Sequence, residues 1–169
     1  MCTILYWNVI VIPWQTRENI SSQMSSYNHF LSEYKSKFQF AAFIDLDELI
    51  FPTTQTNFLD FLDSIPATVG AIAINQRVFG SSGKTTYEPD LLLKRFHKCS
   101  RPDYGENKYV KSIYRLQAIE RISNCHASPL KIGEYVHVDF TDATFREDKP
   151  GSTEKICLSP FQINHYIIN

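Results

Sequence analysis

Phe40-Ala41-Ala42-Phe43-Ile44-Asp45-Leu46-Asp47-Glu48 is the stretch on which the fold reading turns. Five apolar residues run without a break and end in three carboxylates. A short continuous apolar run suits a strand buried on both faces. Residues 40–46 are therefore expected to form a central, fully buried strand. In open α/β sheets, ligands bind beyond the carboxyl ends of such strands. On an extended backbone, side chains two apart point the same way, so Asp45 and Asp47 are expected to face one ligand. Anions this close repel each other, and a cation is the natural third party. Oxygen ligands completed by substrate phosphates suit Mg²⁺ or Mn²⁺. The plainer reading is that the acids cap the next turn in solvent.

The chain has 169 residues, which points to one domain. A hydrophobic fraction of 43% supplies a core. Seventeen basic against 18 acidic residues leave a net charge of −1, which argues against a nucleic-acid or membrane-surface binder. Cys2, Cys99, Cys125 and Cys157 are scattered with no C-x-x-C pair, against a structural zinc site and in favour of free thiols. Residues 4–12 are apolar but lack the flanks of a signal peptide and the ~20 residues of a membrane helix. They read as a buried strand.

Working outward, Ile20, Met24, Tyr27, Leu31, Tyr34 and Phe38 recur at spacings of three and four, which predicts a helix over residues 18–37. Thr56 or Asn57 caps a short helix ending near Ile65. Residues 69–79 read as a strand, broken by Gly80-Ser81-Ser82-Gly83. Further strands are expected at 91–96, 109–114, 118–122, 135–140 and 161–168, with loops at 52–56 and 142–154. Strands and helices alternate early and strands dominate later. That is a single α/β domain with a mixed sheet and flanking helices.

Among residues able to carry chemistry, Arg77, the loop of Gly80, Ser81, Ser82 and Gly83, Arg95 and Lys111 follow the carboxylates. Glycines and serines allow close backbone approach to a phosphate or a sugar, and they equally suit a plain turn. His165 sits in an apolar strand and reads either as a packed core residue or as a third metal ligand. His126 reads as exposed. Glu134, Asp139, Glu147 and Asp148 are all candidate general bases.

These residues together resemble glycosyltransferase family 92 and the related family-2-like glycosyltransferases. The matches are Ile12-Pro13-Trp14, the stretch from Phe43 to Glu48, Gly70-Ala71-Ile72, Arg77-Val78-Phe79-Gly80-Ser81-Ser82-Gly83, Arg95-Phe96, Lys111-Ser112-Ile113 and Ile163-Asn164-His165-Tyr166. The resemblance implies the GT-A fold, in which a strand at residues 40–46 lies inside the sheet, not at its exposed edge. It implies a hexosyltransferase-type enzyme using a nucleotide-sugar donor and a glycan or other hydroxyl acceptor. It implies Mn²⁺ or Mg²⁺ held by Asp45, Asp47 and His165. Arg77, the 80–83 loop, Arg95 and Lys111 fall at substrate-binding positions. Family members usually carry more chain before the Ile-Pro-Trp equivalent, so residues 1–169 are expected to lack the part that grips the nucleotide. Members occur as bacterial intracellular enzymes, the favoured expectation here, and as membrane-tethered Golgi enzymes.

Two other readings compete. A GT-A remnant would bind a glycan or partner without turnover. A D-x-D phosphatase would use the first Asp as nucleophile with Thr or Val four residues on, where this chain has Leu49.

Overall fold

The computed structural model describes residues 11–15, 18–83, 86 and 89–167. Six strands form one mixed sheet: β1 (Phe40–Ala42), β2 (Glu48–Pro52), β3 (Val69–Phe79), β4 (Val110–Arg115), β5 (Glu134–His137) and β6 (Phe161–Tyr166). The order is β1-β4-β3-β6-β2, with β5 also paired to β3. The β3 contacts with β5 and β6 are parallel and the other pairings antiparallel. Helices are few: α1 (Ser22–Tyr34), α2 (Phe58–Ser64) and the single turn α3 (Leu92–Arg95). The chain is a mixed α/β single domain.

The centre of the sheet is β3. Its eleven residues are almost all buried, as a strand flanked on both edges requires. Beside it, β5 and then β6 share one edge while β4 takes the other. A bulge between Val69 and Ala71 lets Val69 face the same core as Ile72. Gly70 sits inside that bulge because a Cβ there would lie 2.6 Å from the Ile132 carbonyl oxygen.

Two cores follow from the alternation of side chains across the sheet. On one face, Ile72, Ile74, Ile113, Phe161 and Ile163 pack beneath α2 through Phe61 and Ile65. On the other, Ala71, Tyr114, Leu116 and Phe43 pack beneath α1 through Leu31, Tyr27 and Phe30. Ser21 caps α1 by accepting from the Met24 amide, and Asn57 caps α2 by accepting from Leu59 and Asp60.

Polar staples hold the long loops to β3. The Asn75 amide donates to the Asn107 and Lys108 carbonyls and to the Thr153 hydroxyl, and accepts from the Cys157 amide. Asn107 accepts from the Val78 amide and the Ser100 hydroxyl. Both side chains are fully buried, and all these groups are satisfied.

Several expectations need correction. Residues 40–46 are not the central strand. β1 covers only Phe40–Ala42, is half-buried, and ends the described sheet with β4 as its one partner there. The chain leaves extended geometry because Asp45 and Glu48 close a turn, with Glu48 N donating to Asp45 O at 3.1 Å and Asp45 N to a Glu48 carboxylate oxygen at 3.0 Å. An end position for this segment counts against the GT-A expectation as the sequence framed it. Glu48–Pro52 forms a strand that the sequence reading did not assign; it takes in only Pro52 of the loop expected at 52–56, at the sheet edge that proline tolerates. Residues 92–95 are helical, not extended: Leu-Leu-Lys-Arg are good helix formers. Residues 118–122 form no strand and follow a helical turn at Leu116–Ala118. β5 stops at His137, and Phe140 turns the chain with φ 63°. The helix over 18–37 is trimmed to Ser22–Tyr34. Of the strand expected over residues 4–12, positions 4–10 lie outside the described residues, and Val11 and Ile12 are exposed without strand structure.

Phe61 lies tilted against Phe161 at 5.0 Å between ring centres and stacks on Phe140 at 5.5 Å. Phe61→Ala is expected to cost about 3–5 kcal/mol in urea unfolding, the range for truncating a buried aromatic. The exposed neighbour change Leu59→Ala should cost under about 1 kcal/mol.

Candidate active site

The site grows out of one face of the sheet. Along that face each of four neighbouring strands exchanges an isoleucine for a polar group two residues on. Ile74 is followed by Gln76 in β3 and Ile163 by His165 in β6. Ile113 is preceded by Lys111 in β4 and Ile50 by Glu48 in β2. Registers place Ile72 beside Ile113, Ile74 beside Lys111, Val78 beside His165 and His165 beside Glu48. The core under α2 therefore ends in a polar row, against which the Asp45–Asp47 turn closes.

Lys111 is the hub. Its ammonium lies 2.8 Å from Asp45 Oδ2 and 3.2 Å from Glu48 Oε2. Lys111 and Glu48 are each only 2% exposed. Asp45 Oδ1 accepts from Gln23 Nε2 at 2.7 Å and from the Tyr27 hydroxyl at 3.4 Å. Helix α1 is thereby tied to the site as well as to its own core.

The electrostatics follow from these contacts. Burial pushes the Asp45 carboxyl up, but the Lys111 hydrogen bond and charge, with those of Tyr27 and Gln23, outweigh it and hold it below its ordinary value. Burial likewise works against the Lys111 charge. Hydrogen bonding to Asp45 and the fields of Glu48 and Asp45 win, and its ammonium titrates above the usual lysine range.

The turn sends the two aspartates to different partners, contrary to the extended-chain expectation. Asp45 goes to Lys111. Asp47 Oδ2 faces His165 Nε2 at 3.8 Å. His165 Nδ1 bonds Gln76 Oε1 at 2.9 Å. Because an amide oxygen only accepts, Nδ1 carries a proton, and Nε2 faces Asp47. Among the described residues, no group of three His, Cys, Asp or Glu side chains stands ready around a metal position.

The other expected site residues reach different places. The Tyr166 amide donates to Asp47 O and the Ile167 amide to Phe79 O, so Asp47 and Gly80 meet at the same end of the sheet. Ser82, at φ 58°, accepts from the His97 and Lys98 amides, and Gly80 N donates to Lys98 O. Ser81 and Gly83 are exposed beside it. Arg77 points to the opposite face, where its Nε donates to Ser100 O at 2.8 Å. Arg95 closes α3 with its guanidinium 5.0 Å from the centre of the Phe96 ring. Of the carboxylates considered as bases, Asp139 is held by Thr141 and Asp148 by Arg146. Glu134 opens β5, and its amide donates to Thr68 O.

Sequence reasoning did not single out Gln76, Gln23, Tyr27 or a role for Glu48. A glutamine inside an otherwise apolar strand was the one available signal. The Gln23 and Tyr27 contacts depend on where α1 lands.

The sequence profile of glycosyltransferase family 92 matches residues 6–154. The chain belongs to that family. No curated protein matches it. Family 92 membership makes the chain a transferase of sugars at the coarse level, acting in general on a sugar donor and an acceptor. Among the described residues, no helix is long and apolar enough to cross a membrane.

Lys111→Met should strand Glu48 as a buried anion and lower unfolding stability by about 3–5 kcal/mol. Adding Glu48→Leu should recover most of that loss, since the uncompensated charge goes with it. Asp45 makes the cluster acid-sensitive. Its folded value lies below 3.8, so its contribution is complete above that pH and is lost as pH falls through the folded value. Lys111 contributes fully below 10.5 and loses its share as pH rises through its raised value. In Lys111→Met both slopes of a stability–pH curve should flatten.

Proposed function

We propose that the chain is a metal-dependent glycosyltransferase with a GT-A-like site at the polar end of the β3–β6–β2 face. It moves a hexosyl group from a nucleotide-diphosphate donor to a glycan or other hydroxyl acceptor. The observation that carries this reading is the Asp47–His165 pair, 3.8 Å apart and backed by Gln76. A metal-ligating imidazole typically gives its other N–H to a carbonyl or carboxylate, which fixes the tautomer. Gln76 does that for His165. Mg²⁺ and Mn²⁺ sites commonly use one or two protein side chains and take their remaining ligands from phosphates and water. Asp47 and His165 fit that role, with Asp45 at the margin because Lys111 already neutralises it. A bound divalent cation would supply positive charge to the departing diphosphate.

The chain's own residues do the rest. Lys111 is a positioning residue: buried between Asp45 and Glu48, it fixes the turn that presents Asp47. Exposed Leu46, between the two aspartates, offers an apolar surface to a ligand there. The 80–83 loop lines the same end of the sheet and leaves Ser81 open to solvent. Family membership supports the transferase reading, while the position of β1 at the end of the described sheet weighs on how closely the fold follows GT-A. A binding module without turnover is the second reading. Lys111 favours it, because its ammonium stands where a cation would otherwise bridge Asp45 and Glu48.

Calorimetric titration with uridine and guanosine diphosphates, with and without Mn²⁺, tests the proposal. One of the two should bind only when Mn²⁺ is present. Asp47→Asn and His165→Ala should each weaken that binding at least about tenfold, roughly 1.4 kcal/mol, with far-UV circular dichroism unchanged. Absence of Mn²⁺-dependent binding in the parent chain would overturn the enzyme reading.

A further inference from the structure

A second polar place lies on the face of the sheet turned away from Lys111 and Gln76. His137 ends β5 opposite Ala73 of β3, while its neighbour Val136 lies opposite Ile72 and belongs to the core under α2. Side chains alternate along a strand, so the His137 ring points to the other face. It is 1% exposed, and its Nδ1 is covered without a hydrogen-bond partner. Native folds rarely leave a buried polar atom in that state. Burial keeps the imidazole below its ordinary value, with Asp139 opposing and Lys155 assisting, so the ring is neutral at pH 7 and can both donate and accept.

The sequence after β5 builds a hollow beside this ring. Phe140 turns the chain, and residues 141–146 return along β5, with the His137 amide donating to Thr141 O at 2.7 Å and the Ala143 amide to Tyr135 O at 3.0 Å. The same segment then pairs with residues 152–154. The Glu154 amide donates to Thr144 O and the Arg146 amide to Ser152 O, both at 2.9 Å. Phe145 stands opposite Thr153, which sets Thr144 beside Glu154 on the outer face of this ribbon. The ribbon is anchored to β3, since Thr153 Oγ1 accepts from the Asn75 amide at 3.0 Å and donates to Lys155 O at 2.6 Å.

The hollow measures about 360 Å³ and is lined by His137, Thr141, Asp142, Thr144, Glu154 and Lys155. Small-ligand sites span ~300–1,000 Å³. A second hollow of about 580 Å³ shares Thr144 and Glu154 and reaches Lys108 and Arg146. Among the described residues, the side chains of Asp142, Glu154 and Lys155 enter no hydrogen bond or ion pair. Two carboxylates, one ammonium, a threonine hydroxyl and a neutral imidazole thus stand open together, a mixed set of acceptors and donors with little net charge. The Lys155 ammonium among the carboxylates disfavours a cation, and the carboxylates disfavour an anion. An apolar ligand would strip water from all three charges without replacing it. A neutral ligand dense in hydroxyls satisfies every group.

We infer that this hollow holds a neutral sugar unit of a glycan, apart from the Asp47–His165 pair. Its hydroxyls donate to Asp142 and Glu154 and accept from Lys155, and one supplies the partner that His137 lacks. The adjoining hollow takes the next unit of the glycan. No step of a transfer passes through this place, so the inference holds for a transferase and for a binding module alike.

An array of neutral, sialylated and sulfated oligosaccharides, probed with the labelled chain in the absence of Mn²⁺ and nucleotide, is the first test. Neutral glycans should bind. The mono- and disaccharide units of the best of them are then titrated into ¹⁵N-labelled chain, and the amides of Thr141, Thr144 and Glu154 should shift. Glu154→Gln and Asp142→Asn change exposed side chains, and each should weaken the sugar at least about tenfold, as loss of a hydrogen bond to a charged group does. Thr144→Trp, which fills the hollow from its rim, should abolish binding. Asp47→Asn should leave the sugar affinity within about twofold, even where it removes Mn²⁺-dependent nucleotide binding, so the two readings fail separately. Absence of neutral glycans from the array, with no amide shift from millimolar hexoses, overturns the inference. Shifts centred on Asp47 and His165 overturn it too, because they put the sugar at the transfer centre. Binding confined to charged glycans, Ca²⁺ alone moving the same amides where no sugar does, or parent affinity in all three hollow variants has the same consequence.

Discussion

A lysine ammonium buried between two carboxylates holds this molecule's functional end together. Lys111 comes from β4, Glu48 from β2 and Asp45 from the turn joining β1 to β2. Two strands lie between β4 and β2, so the contact spans the middle of the sheet. Removing a charge from water is expensive, and it is tolerated when partners and hydrogen bonds are supplied together. Here they are: Glu48 also receives the Asp45 amide, and Asp45 also receives Gln23 and Tyr27 from α1. The arrangement draws α1, strands β4 and β2 and the aspartate turn into one electrostatic unit.

That unit explains how the sheet divides its labour. The face beneath α2 is ordinary isoleucine and phenylalanine packing for most of its length. Where the isoleucines give way to Gln76, Lys111, Glu48 and His165, burial continues while the chemistry changes. A polar row joined to an apolar core is rigid, because the core holds the strands and the strands hold the polar groups. Asp47 and His165, at the margin of this row, are only partly covered and are the members open to a ligand.

The irregular parts of the chain obey the same logic through amides and hydroxyls. Asn75 and Asn107 bind the 100–109 and 152–157 segments to β3. Asn124, Ser128 and Ser112 hold the segment bearing His126 to β4. Neither region has a regular ladder to satisfy its backbone, so side chains supply the partners that buried N–H and C=O groups require.

Local pattern alone was enough to establish several elements. The run from Val69 to Phe79 is long and apolar enough to be a core strand anywhere in a fold. The three-and-four spacing around Tyr27 and Leu31 makes a helix face, and Asn57 is a cap by its chemistry. The motif residues sufficed for the family. What the sequence left open was which apolar run would be central and which polar residues would meet. Residues 40–46 and 69–79 look alike by hydrophobicity, and only pairing with β4, β5 and β6 makes the second the centre. Lys111 and Asp45 lie 66 residues apart, Gln76 and His165 89 apart. Such contacts are a property of strand order and register, which hydrophobic periodicity does not encode. The division of Asp45 and Asp47 between separate partners was likewise settled by a turn that Glu48 closes once Lys111 has drawn it into the core.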